Sequence, residues 1–138
     1  MLDLSQEHDA HIDQRLRSDL IMWIGTVRPD GSPHLVPVWF VWDGKEVLIF
    51  SQPSSRKVRN IRENPHVVLA LDDTKGGEDV ITIEGEAELL PTGSDVMMTY
   101  PAYAEKYGEE VRSMNTTVED LAKEYSQGIR VTPRRFLG

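Results

Sequence analysis

The chain has 138 residues, with 15 Lys and Arg against 23 Asp and Glu, which gives a formal net charge of −8. This length suits one domain with one ordinary core, and we predict a single domain over residues 1–138. The negative charge disfavours nucleic acid and anionic membranes as partners. There is no cysteine, which excludes disulfides, thiolate nucleophiles and cysteine metal sites.

The first 11 residues are acidic and polar, without the basic stretch and apolar core of a signal peptide. No apolar run approaches the ~20 residues that span a bilayer. We therefore expect a cytoplasmic protein with no membrane partner.

The first half of the chain predicts one helix and three strands. Apolar residues and histidines recur at helical spacing over residues 4–18, and Pro29 and Gly31 mark a turn between strands. Asp43-Gly44 is a hairpin signal. The predicted strands are Leu20–Val27, His34–Trp42 and Glu46–Ser51.

The second half predicts three more strands and three helices. Ser54 or Ser55 is expected to cap a helix that starts near Arg56 and is limited by Pro65. The other predicted elements are strands His66–Asp72, Val80–Leu90 and Ile129–Thr132, a helical stretch Pro91–Tyr107, and a helix from a Thr116/Glu119 capping box to Tyr125. Six short strands with hairpin signals predict a mainly β fold, a six-stranded antiparallel barrel with peripheral helices.

The predicted strand His34–Trp42 is apolar on both faces. One face carries Leu35, Trp39 and Val41, and the other carries Val36, Val38, Phe40 and Trp42. A strand with this pattern is buried on both faces. In a small barrel the second face needs a partner subunit, a ligand or a helix to cover it, and on this basis we predict a homodimer.

The clearest local signal for a ligand is the segment from Ser51 to Lys57, which joins a strand end to a helix start. Helix N-termini favour anions, and serine hydroxyls, an arginine and a lysine beside one complement a phosphate. With Arg59 and Arg62, four cations lie within seven residues. The alternative is a capped helix with a solvated basic face, and the residues alone leave both open.

Other polar groups give weaker signals. His8 and His11 are one helical turn apart, but two ligands without a third favour surface histidines over a metal site. Glu84, Glu86 and Glu88 alternate with apolar residues, which predicts a solvent-facing strand side. Ser54 and Ser55 lack the context of a hydrolase nucleophile. No metal site and no catalytic side chain is predicted.

Taken in order, several segments resemble the pyridoxamine 5'-phosphate oxidase-like split-barrel proteins. They are residues 26–34, 37–40, 50–53, 55–65, 84–88 and 129–135. The Ser-Arg-Lys…Asn-Pro block over 55–65 is the most specific part. The short length and the Ser-Gln-Pro phrase resemble the branch of this family that uses the deazaflavin coenzyme F420.

The resemblance implies a homodimer with the cofactor, F420 as first choice or FMN, at the subunit interface. Pro37, Val38 and Trp39 match the strand along the ring system, and Phe50 and Ser51 match positions near the ribityl or phosphate region. Ser55, Arg56 and Lys57 match the phosphate-binding block. Arg130 matches a cationic residue near the ring. These are the predicted cofactor-binding residues.

The implied function is an oxidoreductase that transfers a hydride between F420 or FMN and a small organic substrate. The alternative is a carrier that binds a flavin, deazaflavin or haem without turnover. True pyridoxamine phosphate oxidases have an arginine and a lysine on the ring-lining strand, where this chain has apolar or neutral residues from Leu35 to Phe40. Oxidation of pyridoxamine phosphate is therefore not expected.

Overall fold

A computed structural model describes residues 2–72, 76–77, 79–91 and 100–137. The helices are α1 (Glu7–Ser18), α2 (Arg56–Glu63), α3 (Pro101–Ser113) and α4 (Val118–Glu124). The strands are β1 (Met22–Val27), β2 (Pro33–Val38), β3 (Val41–Trp42), β4 (Val47–Ser51), β5 (His66–Leu71), β6 (Ile81–Leu89) and β7 (Gln127–Leu137). In this part of the chain, no helix combines the length and apolar character needed to cross a membrane.

The strands form one antiparallel sheet in the order β2-β1-β5-β6-β7-β4-β3. Its two edge strands, β2 and β3, are separated by only Trp39 and Phe40. The three Cα–Cα steps from Val38 to Val41 span at most about 11 Å. The edges of a flat seven-stranded sheet would lie roughly 29 Å apart. The sheet must therefore curl until its edges meet. The predicted mainly β split barrel is confirmed.

The strand count differs from the predicted six because the expected strand His34–Trp42 is broken. Its first part pairs with β1 at one edge of the sheet, and its last two residues pair with β4 at the other edge. Trp39 and Phe40 carry the chain across the split between these edges. A pattern of apolar residues does not reveal this change of partner, since both parts remain apolar.

Other boundaries also moved. The last strand was predicted to end at Thr132 but continues to Leu137, because β7 pairs along nearly the whole of β6. The predicted helix Pro91–Tyr107 falls partly on residues 92–99, outside the described residues, and α3 begins at Pro101 and runs to Ser113. Thr117, rather than Thr116, caps α4 by accepting from the Asp120 amide.

Two hydrophobic cores lie on opposite sides of β4, which is buried along its whole length. The barrel core contains Val47 and Ile49 of β4 together with residues of α1, α2 and the other strands. The helix-side core joins Leu48 and Phe50 to α3 and α4. Its buried members are Leu48, Phe50, Tyr103, Tyr107, Val111, Leu121 and Ala122.

Candidate functional site

A cleft of about 320 Å³ opens where the split between β2 and β3 faces α3 and α4. Its lining residues are Ile21, Pro37, Val38, Trp39, Phe50, Lys57, Tyr103, Met114, Leu121 and Tyr125. The walls are mostly apolar and aromatic, and Lys57 is the one charged side chain among these lining residues. Known small-molecule sites have about this size and character.

The start of α2 borders the cleft. Ser55 occupies the N-cap position, but its side chain makes no capping hydrogen bond, so the predicted capping does not occur. The Ser55 hydroxyl instead lies 2.8 Å from the Ser51 hydroxyl at the end of β4. This contact fixes the strand-to-helix loop and leaves the first-turn amides of α2 without a serine cap.

Lys57 is half-buried, and burial lowers the pKa of its ammonium group. No carboxylate lies within ion-pair distance of it among the described residues. A desolvated cation without an acidic partner is costly. An anionic group in the cleft would therefore offset this cost.

Three further ionisable side chains, those of His34, Arg28 and Arg56, lie near one another around the start of α2. His34 on β2 has a lowered pKa because of burial and because of the charges of Arg28, Lys57 and Arg56. The His34 Nδ1 atom is buried and has no hydrogen-bond partner, and the same holds for Oδ1 of Asn60 on α2. The region around the start of α2 and His34 is thus electropositive in an acidic protein. It also contains two buried polar atoms, His34 Nδ1 and Asn60 Oδ1, that could form a hydrogen bond with a ligand.

The predicted cofactor-binding residues divide between this cleft and its border. Pro37, Val38, Trp39, Phe50 and Lys57 line it together. Ser51 and Ser55 form the hydroxyl pair beside it, and Arg56 acts on His34 through its charge.

Arg130 lies apart from these residues on β7. Its guanidinium group is 3.4 Å from Glu88 and 3.7 Å from Glu46, and its Nη2 is 3.3 Å from the Tyr100 hydroxyl. It lines another cleft of about 210 Å³, together with Glu46 and Tyr100. In this chain Arg130 is held by acidic neighbours.

Sequence reasoning missed the residues that α3 and α4 contribute. Tyr103 and Tyr107 are buried on one face of α3, and Tyr125 follows α4. The signal was present in the spacing of Tyr100, Tyr103 and Tyr107, which is helical. Nothing in that spacing showed that the aromatic face covers the break between β2 and β3.

The other histidines and acidic residues singled out in the sequence have ordinary surroundings. His11 Nε2 lies 2.8 Å from the Asp79 carboxylate, and His8 is exposed. Glu86 and Arg134 pair across β6 and β7 at 2.8 Å, on the solvent side that the alternation predicted.

Comparison with known proteins agrees with this geometry. A family model described as pyridoxamine 5'-phosphate oxidase matches residues 8–137. The chain belongs to this family. The resemblance that the segments around residues 26–65 indicated is thus confirmed. No curated protein gives a significant match.

Solved structures of family-like proteins superpose over most of the chain. An F420 reductase is 26% identical, with a TM-score of 0.73 over 91% of this chain and 94% of that one. A conserved hypothetical protein from Mycobacterium tuberculosis is 27% identical, with a TM-score of 0.74 over 92% and 81%. HutZ, a haem storage protein from Vibrio cholerae, is 17% identical, with a TM-score of 0.68 over 93% and 92%, a likeness of fold alone.

Proposed function

We propose that this protein is an oxidoreductase that transfers a hydride between a bound F420, or FMN, and a small organic substrate. The observation that carries the proposal is the cleft itself, in which apolar and aromatic walls surround the half-buried Lys57, a cation with no acidic partner among the described residues. The similarity to an F420 reductase supports F420 as the first choice of cofactor.

The residues present fit a planar ring joined to a phosphate. Pro37, Val38 and Trp39 offer an apolar strip for the ring, and Phe50 and Tyr103 line the same cleft. Lys57, Arg56 and the uncapped first turn of α2 supply cations and amide donors suited to a phosphate. The buried, unpartnered Nδ1 of His34 adds a donor or acceptor at the same corner.

A flavin or deazaflavin in such a site supplies the hydride chemistry, and the protein supplies binding, orientation and a dry environment. The Pro37–Trp39 strip and Phe50 exclude water from the ring, which strengthens electrostatic interactions within the cleft. Lys57 holds its charge against burial when a phosphate lies beside it. The hydroxyl of Tyr103 keeps its proton, because burial raises its pKa.

The decisive experiment is a titration of the purified protein with FMN, F420 and haem, followed by fluorescence or absorbance. Reduced F420 is then mixed with a quinone or an enone, and its oxidation is timed with and without protein. We expect F420 to bind and its oxidation to accelerate. Acceleration only with FMN and a nicotinamide donor would keep the enzyme class and replace the cofactor.

The carrier hypothesis gives a different outcome in the same experiment. Tight binding without acceleration across a broad panel of acceptors would identify a storage or transport protein. Preferential haem binding would point the same way, and the fold it shares with HutZ makes haem a necessary member of the panel.

We also propose a homodimer with the cofactor at the subunit interface. In support, Leu35 on β2 is 60% exposed, and the adjacent Pro37 is exposed at the cleft. The opposite side of β2 faces the barrel core, and the described residues leave Leu35 on this outer side uncovered. Sedimentation of the cofactor-free protein at micromolar concentration tests the assembly, and a monomer would contradict it. Cytoplasmic location stays a prediction.

A further inference from the structure

The seam where the chain crosses from β2 to β3 is held by α3. Strand pairing stops at Val38 and resumes at Val41, so neither edge of the sheet pairs with Phe40. Its backbone groups are satisfied by two adjacent side chains of α3. The Phe40 amide donates to the Tyr107 hydroxyl at 2.8 Å, and Lys106 Nζ donates to the Phe40 carbonyl at 2.9 Å.

The Tyr107 hydroxyl also reaches the segment just before β1. Its oxygen lies 2.7 Å from the Leu20 carbonyl and 2.9 Å from the Phe40 carbonyl. Because the hydroxyl has one proton and Lys106 already donates to Phe40, that proton is best used by Leu20. Burial raises the pKa of Tyr107, which keeps the proton in place. One buried phenol thus ties Leu20 to Phe40.

Both tied residues stand next to residues of the cleft. Leu20 precedes Ile21, and Phe40 follows Trp39; Ile21 and Trp39 line the cleft. The Tyr107 ring itself stacks on the Trp39 indole, with 4.4 Å between centroids and 2° between planes. The phenol therefore acts on the cleft in two ways, through the backbone on either side and through the plane of the indole.

We propose that Tyr107 is a positioning residue that fixes the plane of Trp39 and the spacing of the cleft walls, and thereby determines how well the cleft accepts a planar ring. Tyr107 itself does not line the cleft, so it acts through Trp39 and the backbone. The binding part of this inference rests on the proposed function, whereas the orientation of Trp39 does not.

The test uses Tyr107→Phe, which removes the hydroxyl and keeps the stacked ring. Tyr100→Phe is the matched control, because it also removes a tyrosine hydroxyl, from the N-cap residue of α3. The Tyr100 hydroxyl contacts Arg130 rather than the backbone at Leu20 and Phe40. Each protein is labelled with 5-fluorotryptophan, and the signals of the three tryptophans are assigned by single Trp→Phe substitutions. Dissociation constants for FMN and F420 are measured on the same samples.

We expect Tyr107→Phe to shift or broaden the Trp39 signal in the cofactor-free protein, with Trp23 and Trp42 unchanged, and to weaken cofactor binding about five- to tenfold. Tyr100→Phe should change neither. When Trp39 is already Phe, adding Tyr107→Phe should weaken binding by a smaller factor, since part of the effect passes through the indole. An unmoved Trp39 signal, or equal losses in both hydroxyl variants, would overturn the proposal.

Two further outcomes keep the test decisive. If Tyr107→Phe does not fold, the line width of the wild-type Trp39 fluorine signal is compared with its width in the urea-unfolded protein. An equally narrow line would show a mobile indole and would overturn the proposal that Tyr107 fixes its orientation. If the wild type binds neither FMN nor F420, the proposed cofactor is wrong, while the Trp39 signal still decides whether Tyr107 orients the indole.

Discussion

The barrel core and the helix-side core lie on opposite sides of β4 and have different roles. Val47 and Ile49 face a core of mainly aliphatic side chains that is enclosed by the curled sheet, α1 and α2. Leu48 and Phe50 face a core rich in aromatic side chains, which borders the cleft. Alternate residues of β4 thus serve stability and the site separately. We expect substitutions one position apart to have separable effects.

The largest effect on stability is expected from Ile49→Ala. Ile49 is fully buried in the barrel core, and truncation of such a residue to Ala costs about 2–5 kcal/mol through lost burial and a residual cavity. Urea unfolding measures the loss. Cofactor affinity, measured well below the unfolding transition, should stay near that of the wild type. A large loss of affinity in the folded protein would show that the two cores are coupled.

Trp39→Arg should affect the site more than the fold. Trp39 is half-buried at the cleft wall, and a bulky cation there replaces the planar apolar neighbour of the ring. Removal of a central aromatic contact of this kind costs about 2 kcal/mol or more, roughly 30-fold in affinity. Titration with FMN and F420 measures it, and Trp23→Arg, outside the cleft lining, is the control. Unchanged affinity would place the ring elsewhere.

Lys57→Ala tests the polar end of the cleft. Loss of a charge-assisted hydrogen bond to phosphate should weaken cofactor binding by about 1.5–3 kcal/mol, roughly 10- to 150-fold. The free energy of unfolding should not fall, because the variant no longer buries a cation that lacks an acidic partner in the described part of the chain. Lys123→Ala is the matched control, since this exposed lysine pairs with Asp120 on α4. Equal binding by Lys57→Ala and the wild type would reject the phosphate assignment.

The smallest expected effect concerns the pH dependence of stability. Burial, followed by the charges of Arg28, Lys57 and Arg56, lowers the pKa of His34 from its ordinary value of 6.5. The unfolded state therefore takes up the proton first, and stability falls as the pH falls from about 6.5 toward the lower folded pKa. His34→Gln should flatten this part of the curve of stability against pH. An unchanged slope in His34→Gln would show that His34 protonates freely.

The parts of the fold that depend on local patterns were predictable from sequence. Alternation, turn dipeptides and the Ser-Arg-Lys block located most strands and α2, and five predicted site residues do meet in one cleft. The break at Trp39-Phe40 was not predictable, because it depends on which strand each part pairs with. The roles of Tyr107 and Lys106 were hidden for the same reason, since their partners lie 67 and 66 residues away along the chain.

The position of β7 between β6 and β4 has a consequence for folding. The strands β1, β2, β5 and β6 pair among themselves, whereas among the described strands β7 alone connects β3 and β4 to them. Until residues 127–137 are available, a hairpin that includes the wholly buried strand β4 has no sheet to enter. The pairing of β4 with β7 joins residues that are about 80 positions apart, and such long-range contacts form slowly. Until they form, exposed apolar strands favour aggregation. Synthesis from N- to C-terminus leaves this hairpin exposed until residues 127–137 have been made.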